Sequence, residues 1–283
     1  MMTALQWRRF YAAERDALGT SGMAALLEAA QEMALPLSGG IVFPHARLRA
    51  CGKLVAAAAL AVVRSGRDTV LALGVMHGGR ECDAQAVARA RNGDEQARRE
   101  LRAVHGPGAS RDRGVWLEEF SLDNFVSLVE LAAAREGTAP PRIVARYPFL
   151  TAEDPTGLPG FAEIQRLALE GCAIVATTDP VHHGAGYGTP AEQRLARTRA
   201  ETFAFAARGI AAQFESLRQR DFAAFQNTAG LLNSDFRDVG PVLAAIMPSG
   251  ARFSMKRLKL VDYSDVLDAP QPTWVAAALA TVS

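Results

Sequence analysis

Cysteine is scarce in this chain: Cys51, Cys82 and Cys172 are the three in 283 residues. An odd, scattered set builds no disulfide framework and contains no Cys-x-x-Cys pair, so a reducing, cytoplasmic setting is the expectation. Long apolar runs are also lacking. The two longest, Leu54–Val63 and Trp274–Val282, fall well short of the ~20 residues that a membrane span requires. The first residues, MMTALQWRRFYAAERDALG, hold no apolar core of a signal peptide. No sign of charge dominates. A formal net charge of +1 excludes the global basic field of a nucleic-acid binder and the acidic tail of a solvating protein.

Several catalytic signatures are missing as well. No Gly-x4-Gly-Lys-Ser/Thr loop is present, and no Gly-x-Gly-x-x-Gly opens a helix after the first strand, which argues against nucleotide binding. Gly78-Gly79 and the stretch Gly184–Gly188 read as turns or as places where backbone passes close to another group. Without a Gly-x-Ser-x-Gly elbow, a serine hydrolase is not expected. Cys51 begins a predicted helix, where the dipole can activate a thiol; the ordinary reading is a small residue packed at a helix start. The arginines of Arg89–Arg113 are interrupted by Asp94, Glu95, Glu100 and Asp112, the pattern of a solvated helix face.

What is present is an ordinary globular composition, 49% hydrophobic and 22% charged, read as a single domain over 1–283. Strand and helix patterns alternate. Strands are expected at Gly40–Pro44, Asp68–Val75, Arg142–Tyr147 and Cys172–Thr178, with a short one at Ala229–Asn233 and a final pair at Arg257–Tyr263 and Thr273–Val282. Helices are expected at Ala12–Ala34, Gly52–Arg64, Ala84–Val104 (broken at Asn92-Gly93), Leu122–Arg135, Gly160–Glu170, Pro190–Gln219 and Gly240–Met247. The alternation predicts an α/β fold: a mainly parallel central sheet covered by helices on both faces, with the final strands antiparallel.

Four of the five histidines, His45, His77, His182 and His183, follow predicted strands. In open α/β sheets ligands bind outside the carboxyl ends of the strands, so these residues are expected to converge. Adjacent residues of an extended chain point to opposite sides, so only one of His182 and His183 should face the convergence. His105 reads as a loop residue without a role. The carboxylates near the same edge are Asp179, Asp235 and Asp238, with Glu118, Glu119 and Asp123 within reach of a loop. Imidazole suits iron, copper, zinc and nickel, and two histidines with one carboxylate suit non-haem Fe(II). A further histidine, left unligated, can move protons. Each piece also has a plain reading: a histidine after a strand commonly satisfies backbone groups, and Asp179 before Pro180 is a turn signature.

Five segments resemble, in order, the blocks of one family. GGIVFPHARLRACG at Gly39–Gly52 is similar to a strand followed by Pro-His-Ala-Gly. LALGVMHGG at Leu71–Gly79 is similar to a strand ending in histidine. LEEFSLDNFVSLVEL at Leu117–Leu131 resembles a Glu-His-Ser helix start. ATTDPVHHGAGYG at Ala176–Gly188 resembles Ser-Ser-Asp-x-x-His-x-Gly, and LLNSDFRDVGPVLAAI at Leu231–Ile246 resembles Cys-Gly-x-Gly-Pro-Ile. The family is the Memo-like one, including AmmeMemoRadiSam system protein B, within the superfamily of the LigB-like class III extradiol dioxygenases.

The resemblance implies a metal site of His45, His77 and a third ligand within Asn233–Asp238, with Asp235 preferred over Asp238 and Asn233. It implies His182 as the catalytic acid/base with Asp179 as its motif partner. Fe(II) is the implied cofactor, with copper or zinc as alternatives. The implied substrate is a small aromatic diol or a related compound, and neither nucleic acid nor membrane is an implied partner. A homo-oligomer is left open, as relatives differ in assembly. The alternative within the same family is a metal- or peptide-binding protein without ring cleavage. This chain departs from the pattern at Phe120, where the family has histidine, at Arg47, where it has glycine, and at position 235, where Memo proteins have cysteine. Arg47 or Arg49 is a candidate for holding an anionic substrate group.

Overall fold

The computed structural model of the chain describes residues 2–33, 35–77, 84–109, 114–152 and 154–283. In chain order come α1 (Ala4–Ala30), β1 (Gly40–Phe43), α2 (Leu48–Arg64), β2 (Thr69–Leu73), α3 (Ala84–Arg91), α4 (Glu95–Leu101) and β3 (Ala103–His105). Then follow α5 (Asp123–Glu136), β4 (Arg142–Phe149), α6 (Phe161–Leu169), β5 (Ala173–Thr177) and β6 (Val181–Gly184). The chain closes with α7 (Ala200–Gln219), α8 (Phe222–Leu231), α9 (Phe236–Ile246), β7 (Phe253–Asp262) and β8 (Thr273–Val282). Gly78-Gly79, Cys82 and the Asp112 end of the arginine-rich stretch lie outside the described residues.

The strands form one sheet in the order β3-β4-β2-β5-β1-β8-β6, with β7 on β8. The middle four, β4-β2-β5-β1, are parallel, and β8 runs antiparallel to β1, β6 and β7. Apolar side chains fill both faces because strand residues alternate sides. Ile41 and Phe43 of β1 join the core under α1, α2 and α5, while Val42 joins the core under α6, α7, α8 and α9. Burial on both sides explains why these strands read as unbroken apolar runs rather than alternating ones. β7 occupies one edge of β8 over its whole length. β1 pairs with Ala280–Val282 and β6 with Thr273–Ala276, so these two share the other edge, end to end.

Local expectations fail at a few places, each for a readable reason. α1 starts at Ala4, not Ala12, because Thr3 and Gln6 form a reciprocal capping box, and it is kinked at Gly19. Ala103–His105 is not helix but pairs with β4, and buried His105 ends that strand instead of sitting in a loop. Ala229–Asn233 is not a strand. It is the end of α8 and the turn beyond it, in a helix capped by Asp221, whose side chain accepts from the Ala224 N–H; a short apolar run does not separate helix from strand by period alone. The long helix begins at Ala200 rather than Pro190. Among the described residues no helix is long and apolar enough to cross a membrane.

Candidate metal centre

β1, β5 and β2 are neighbours with the same direction, so their carboxyl ends open on one place. Beyond β1 stands His45, beyond β5 Asp179, and beyond β2 His77. Gly74 permits the third of these: a Cβ there would lie 2.3 Å from the Tyr147 ring. Ser121 then pins the segment, accepting from the Val75 N–H and donating to the Val75 carbonyl, both at 3.1 Å. The loop carrying His45 is held by Glu14 of α1, which caps α2 by accepting from the Leu48 N–H at 2.6 Å, and by the Tyr263 hydroxyl, which accepts from the Arg47 N–H.

The fourth and fifth residues come from β6 and from the α8–α9 turn. The His182 N–H donates to the Leu232 carbonyl and the Asp235 N–H to the Asp179 carbonyl. Ser234 donates to Gln213, whose amide donates to the Pro180 carbonyl at 3.0 Å. Asp235 is therefore tied to the same backbone that carries Asp179 and His182.

Three imidazoles aim at one carboxylate oxygen. Asp235 Oδ2 lies 3.3 Å from His45 Nε2, 3.5 Å from His77 Nε2 and 3.5 Å from His182 Nε2. His45 and His77 Nε2 atoms are 3.1 Å apart, and Asp179 Oδ2 is 3.6 Å from His45 Nε2. With metal–ligand bonds of about 2.1 Å, neighbouring ligand atoms stand about 3.0 Å apart in octahedral geometry and about 3.4 Å apart in tetrahedral geometry. The His45–His77–Asp235 set spans that range. A second compatible set is Asp179, His182 and Asp235. The buried Asp235 Oδ2 and Asp179 Oδ1 have no hydrogen-bond partner of good geometry, which for buried carboxylate oxygens is unusual without a cation nearby.

The ring nitrogens away from this point are all engaged. His182 Nδ1 donates to the Asn233 carbonyl at 2.7 Å. A carbonyl only accepts, so the proton of the neutral ring sits on Nδ1 and the Nε2 lone pair faces inward. His77 Nδ1 meets Glu119 Oε2 at 3.1 Å and His45 Nδ1 meets Thr177 Oγ1 at 3.2 Å. Such outer partners fix the tautomer of metal-binding histidines.

The electrostatics favour a positive charge here. Burial works against the imidazolium of His77, but the neighbouring Asp235 and Glu119 carboxylates, which favour the charged ring, outweigh it and push this group up to about 10. Burial likewise opposes the charged form of Asp235, yet His182, His45 and His77 hold it well below the usual carboxylate range. Asp179 goes the other way: burial raises it, and the nearby histidines only partly compensate.

A cavity of about 470 Å³ opens on these atoms, within the range of small-molecule sites. Its walls include Trp7, Tyr11, Phe120, Tyr187 and Tyr263. Phe120 stacks on His77 at 4.4 Å between centroids, and the Tyr11 and Tyr263 hydroxyls share a hydrogen bond of 2.6 Å. Sequence reasoning did not reach Trp7, Tyr11 or Tyr263. The signal for the first two was the Thr3–Gln6 capping box, which sets Trp7, Tyr11 and Glu14 at i, i+4 and i+7 on one helical face.

Other candidates stand elsewhere. Asp238 is turned away, accepting from the Thr151 N–H at 2.9 Å. His183 faces the opposite side of β6 from His182, stacks on Trp274 and accepts from the Leu195 N–H. Asp123 pairs with Arg8, and Arg47 is tied to Asp265; neither side chain lines the cavity, and Arg49 is exposed. Burial pushes the Cys51 thiol well up rather than down, so helix position does not activate it. Gly184–Gly188 is a close-approach turn: a Cβ on Gly184 would lie 1.9 Å from the Pro272 carbonyl oxygen, and Gly186 and Gly188 line the cavity. No protein-family model matches the chain, and no curated protein matches it.

Proposed function

We propose that this chain is a metal-dependent oxygenase of the extradiol ring-cleavage type, holding Fe(II) with His45, His77 and Asp235 and acting on a small aromatic diol or a related compound. The observation that carries this is the convergence of three histidine Nε2 atoms on Asp235 Oδ2, a buried oxygen without a well-formed hydrogen bond, at the floor of an aromatic-walled cavity. Bound there, Fe(II) would supply open coordination positions and electron transfer between a diol and dioxygen. Copper and zinc are the other ions the donor set accepts. The five sequence blocks support membership of the Memo-like and LigB-like superfamily, and the sparse cysteines support a cytoplasmic setting.

The protein's own part is to position, to exclude water and to move protons. His182, with Nδ1 fixed as donor to Asn233, presents a basic Nε2 that takes a proton from a substrate hydroxyl and later returns one. Asp179 is a positioning residue, its carboxyl set beside His45. Phe120, Trp7 and Tyr11 form a stacked aromatic wall suited to a planar ring. Arg47, held by Asp265, leaves the cavity open.

A second reading rests on one distance. His182 Nε2 is as near to Asp235 Oδ2 as His77 Nε2 is, 3.5 Å in both cases. A closed set of three histidines and one carboxylate would bind metal and leave no histidine for proton transfer, as in a Memo-like metal- or peptide-binding protein. Metal analysis of anaerobically prepared wild type, His45→Ala and His182→Ala separates the two. The oxygenase reading expects iron lost in His45→Ala and kept in His182→Ala. Equal loss in both favours the binding reading, and a wild type that holds neither iron, copper nor zinc after reconstitution with each rejects both metal readings.

A further inference from the structure

Arg91 and Arg99 are exposed and Arg98 and Arg102 half-buried, and these four share one concave face. Arg91, Arg98, Arg99 and Arg102 line one cavity of about 420 Å³, and Arg237 of α9, distant in sequence, joins them. Among the described residues the acids on its wall are Glu95 and Asp238. Glu95 faces Arg98 at 3.3 Å, while Asp238 accepts from the Thr151 N–H. Among the described lining residues five guanidinium groups stand against two carboxylates, with the Asp94 and Asp154 carboxylates near Arg99 and Arg102 outside the lining.

Four of the five guanidinium groups are also set in place. Arg102 donates to the Gly157 and Asp154 carbonyls at 2.7 and 3.0 Å. Arg91 donates to the Met76 carbonyl at 2.8 Å and lies over the Phe149 ring. Arg98 donates to the Ala90 carbonyl at 2.9 Å, and Arg237 to the Ser234 carbonyl at 3.4 Å. Backbone carbonyls orient a guanidinium without cancelling its charge, and each group keeps further N–H donors. The opposite wall is shaped to match: Leu150 and Ala152 both hold φ of 54°, uncommon for residues with a side chain, and Thr151 between them is latched to α9 through Asp238.

We propose that this cavity is a binding site for a small phosphate-bearing molecule. Planar guanidinium forks match phosphate oxygens two at a time, and several forks around one space suit more than a single negative charge. The site is concave and of small-molecule size, unlike the open stripe that tracks a nucleic-acid backbone. It stands independently of the metal reading. Arg91 lines both cavities, so a phosphate held here is one side chain from the aromatic-walled cavity.

Isothermal titration of the full chain with pyrophosphate, at fixed ionic strength, tests this. Saturable one-site binding is expected, weakened about tenfold by Arg99→Gln and about a hundredfold by Arg99→Gln with Arg237→Gln. Arg99 is exposed, and unchanged circular dichroism checks that each variant is folded. Arg208→Gln, on the exposed side of α7, should bind as wild type does. Absence of saturable binding overturns the proposal, as does equal weakening by Arg208→Gln. Citrate binding as tightly would replace phosphate with carboxylate as the ligand class and sink the proposal as stated. A single-stranded oligonucleotide that binds and is not displaced by pyrophosphate would reject it in favour of a nucleic-acid surface.

Discussion

Two kinds of histidine occupy this molecule, and both are largely buried. His45, His77 and His182 use Nδ1 for a protein partner and leave Nε2 facing the Asp235 carboxylate. His105 and His183 spend Nε2 on the backbone: the first donates to the Leu101 carbonyl at 2.8 Å, the second accepts from the Leu195 N–H at 2.9 Å. Neither burial nor place near a strand end separates the groups. What each Nε2 faces does: in the first three it points at the Asp235 carboxylate, in the other two at backbone.

The largest test of this comparison is His45→Ala. Metal affinity should fall more than about a hundredfold, beyond the ten- to hundredfold of an outer-partner change, read as metal content after dialysis. Next, His182→Gln should lower turnover by about 10²–10⁴ with metal content retained; a variant that keeps full turnover on the best diol removes His182 from the chemistry. Glu119→Gln, which weakens the partner fixing His77 Nδ1, should cost about ten- to hundredfold in metal affinity.

The smallest effect is expected at the other kind of histidine. His183→Gln should leave metal content unchanged, and loss of metal there would break the division altogether. Burial holds His183 below its usual value. A histidine depressed in the folded state stays neutral there while the unfolded chain takes a proton near pH 6.5. Its contribution is full above that pH and is lost as pH falls toward the depressed value. The gap in Tm between wild type and His183→Gln should therefore narrow between about pH 8 and about pH 5.

Much of this arrangement was legible in the sequence. The runs ending before His45 and His77, and the run before Asp179, read as buried strands, and parallel order alone brings their ends together. The opposite faces of His182 and His183 followed from strand geometry. Less legible was what reaches the site from afar. VHHG carries too little apolar pattern to read as β6, although it pairs with β8 over its four residues. Tyr263 and Tyr11 meet across the chain through packing of α1 on the sheet, which no local pattern encodes. The choice of Asp235 over Asp238 depended on the α8–α9 turn, where a misread strand hid the helix end. The arginine cavity was missed for the same reason: a charge run shows its own helix, not the distant Arg237 that completes the ring.

β1 and β6 abut one edge of β8 while β7 covers the other. This has a consequence for synthesis. His45 and His77 leave the ribosome early, but the strand that sets His45 and His182 at a fixed spacing is the latest in chain order. At roughly 5–20 residues per second, the early histidines wait many seconds before the strand that aligns them exists. If the site holds an ion as proposed, an ion met before β8 is made would find His45 and His77 without the alignment to His182 that β8 provides.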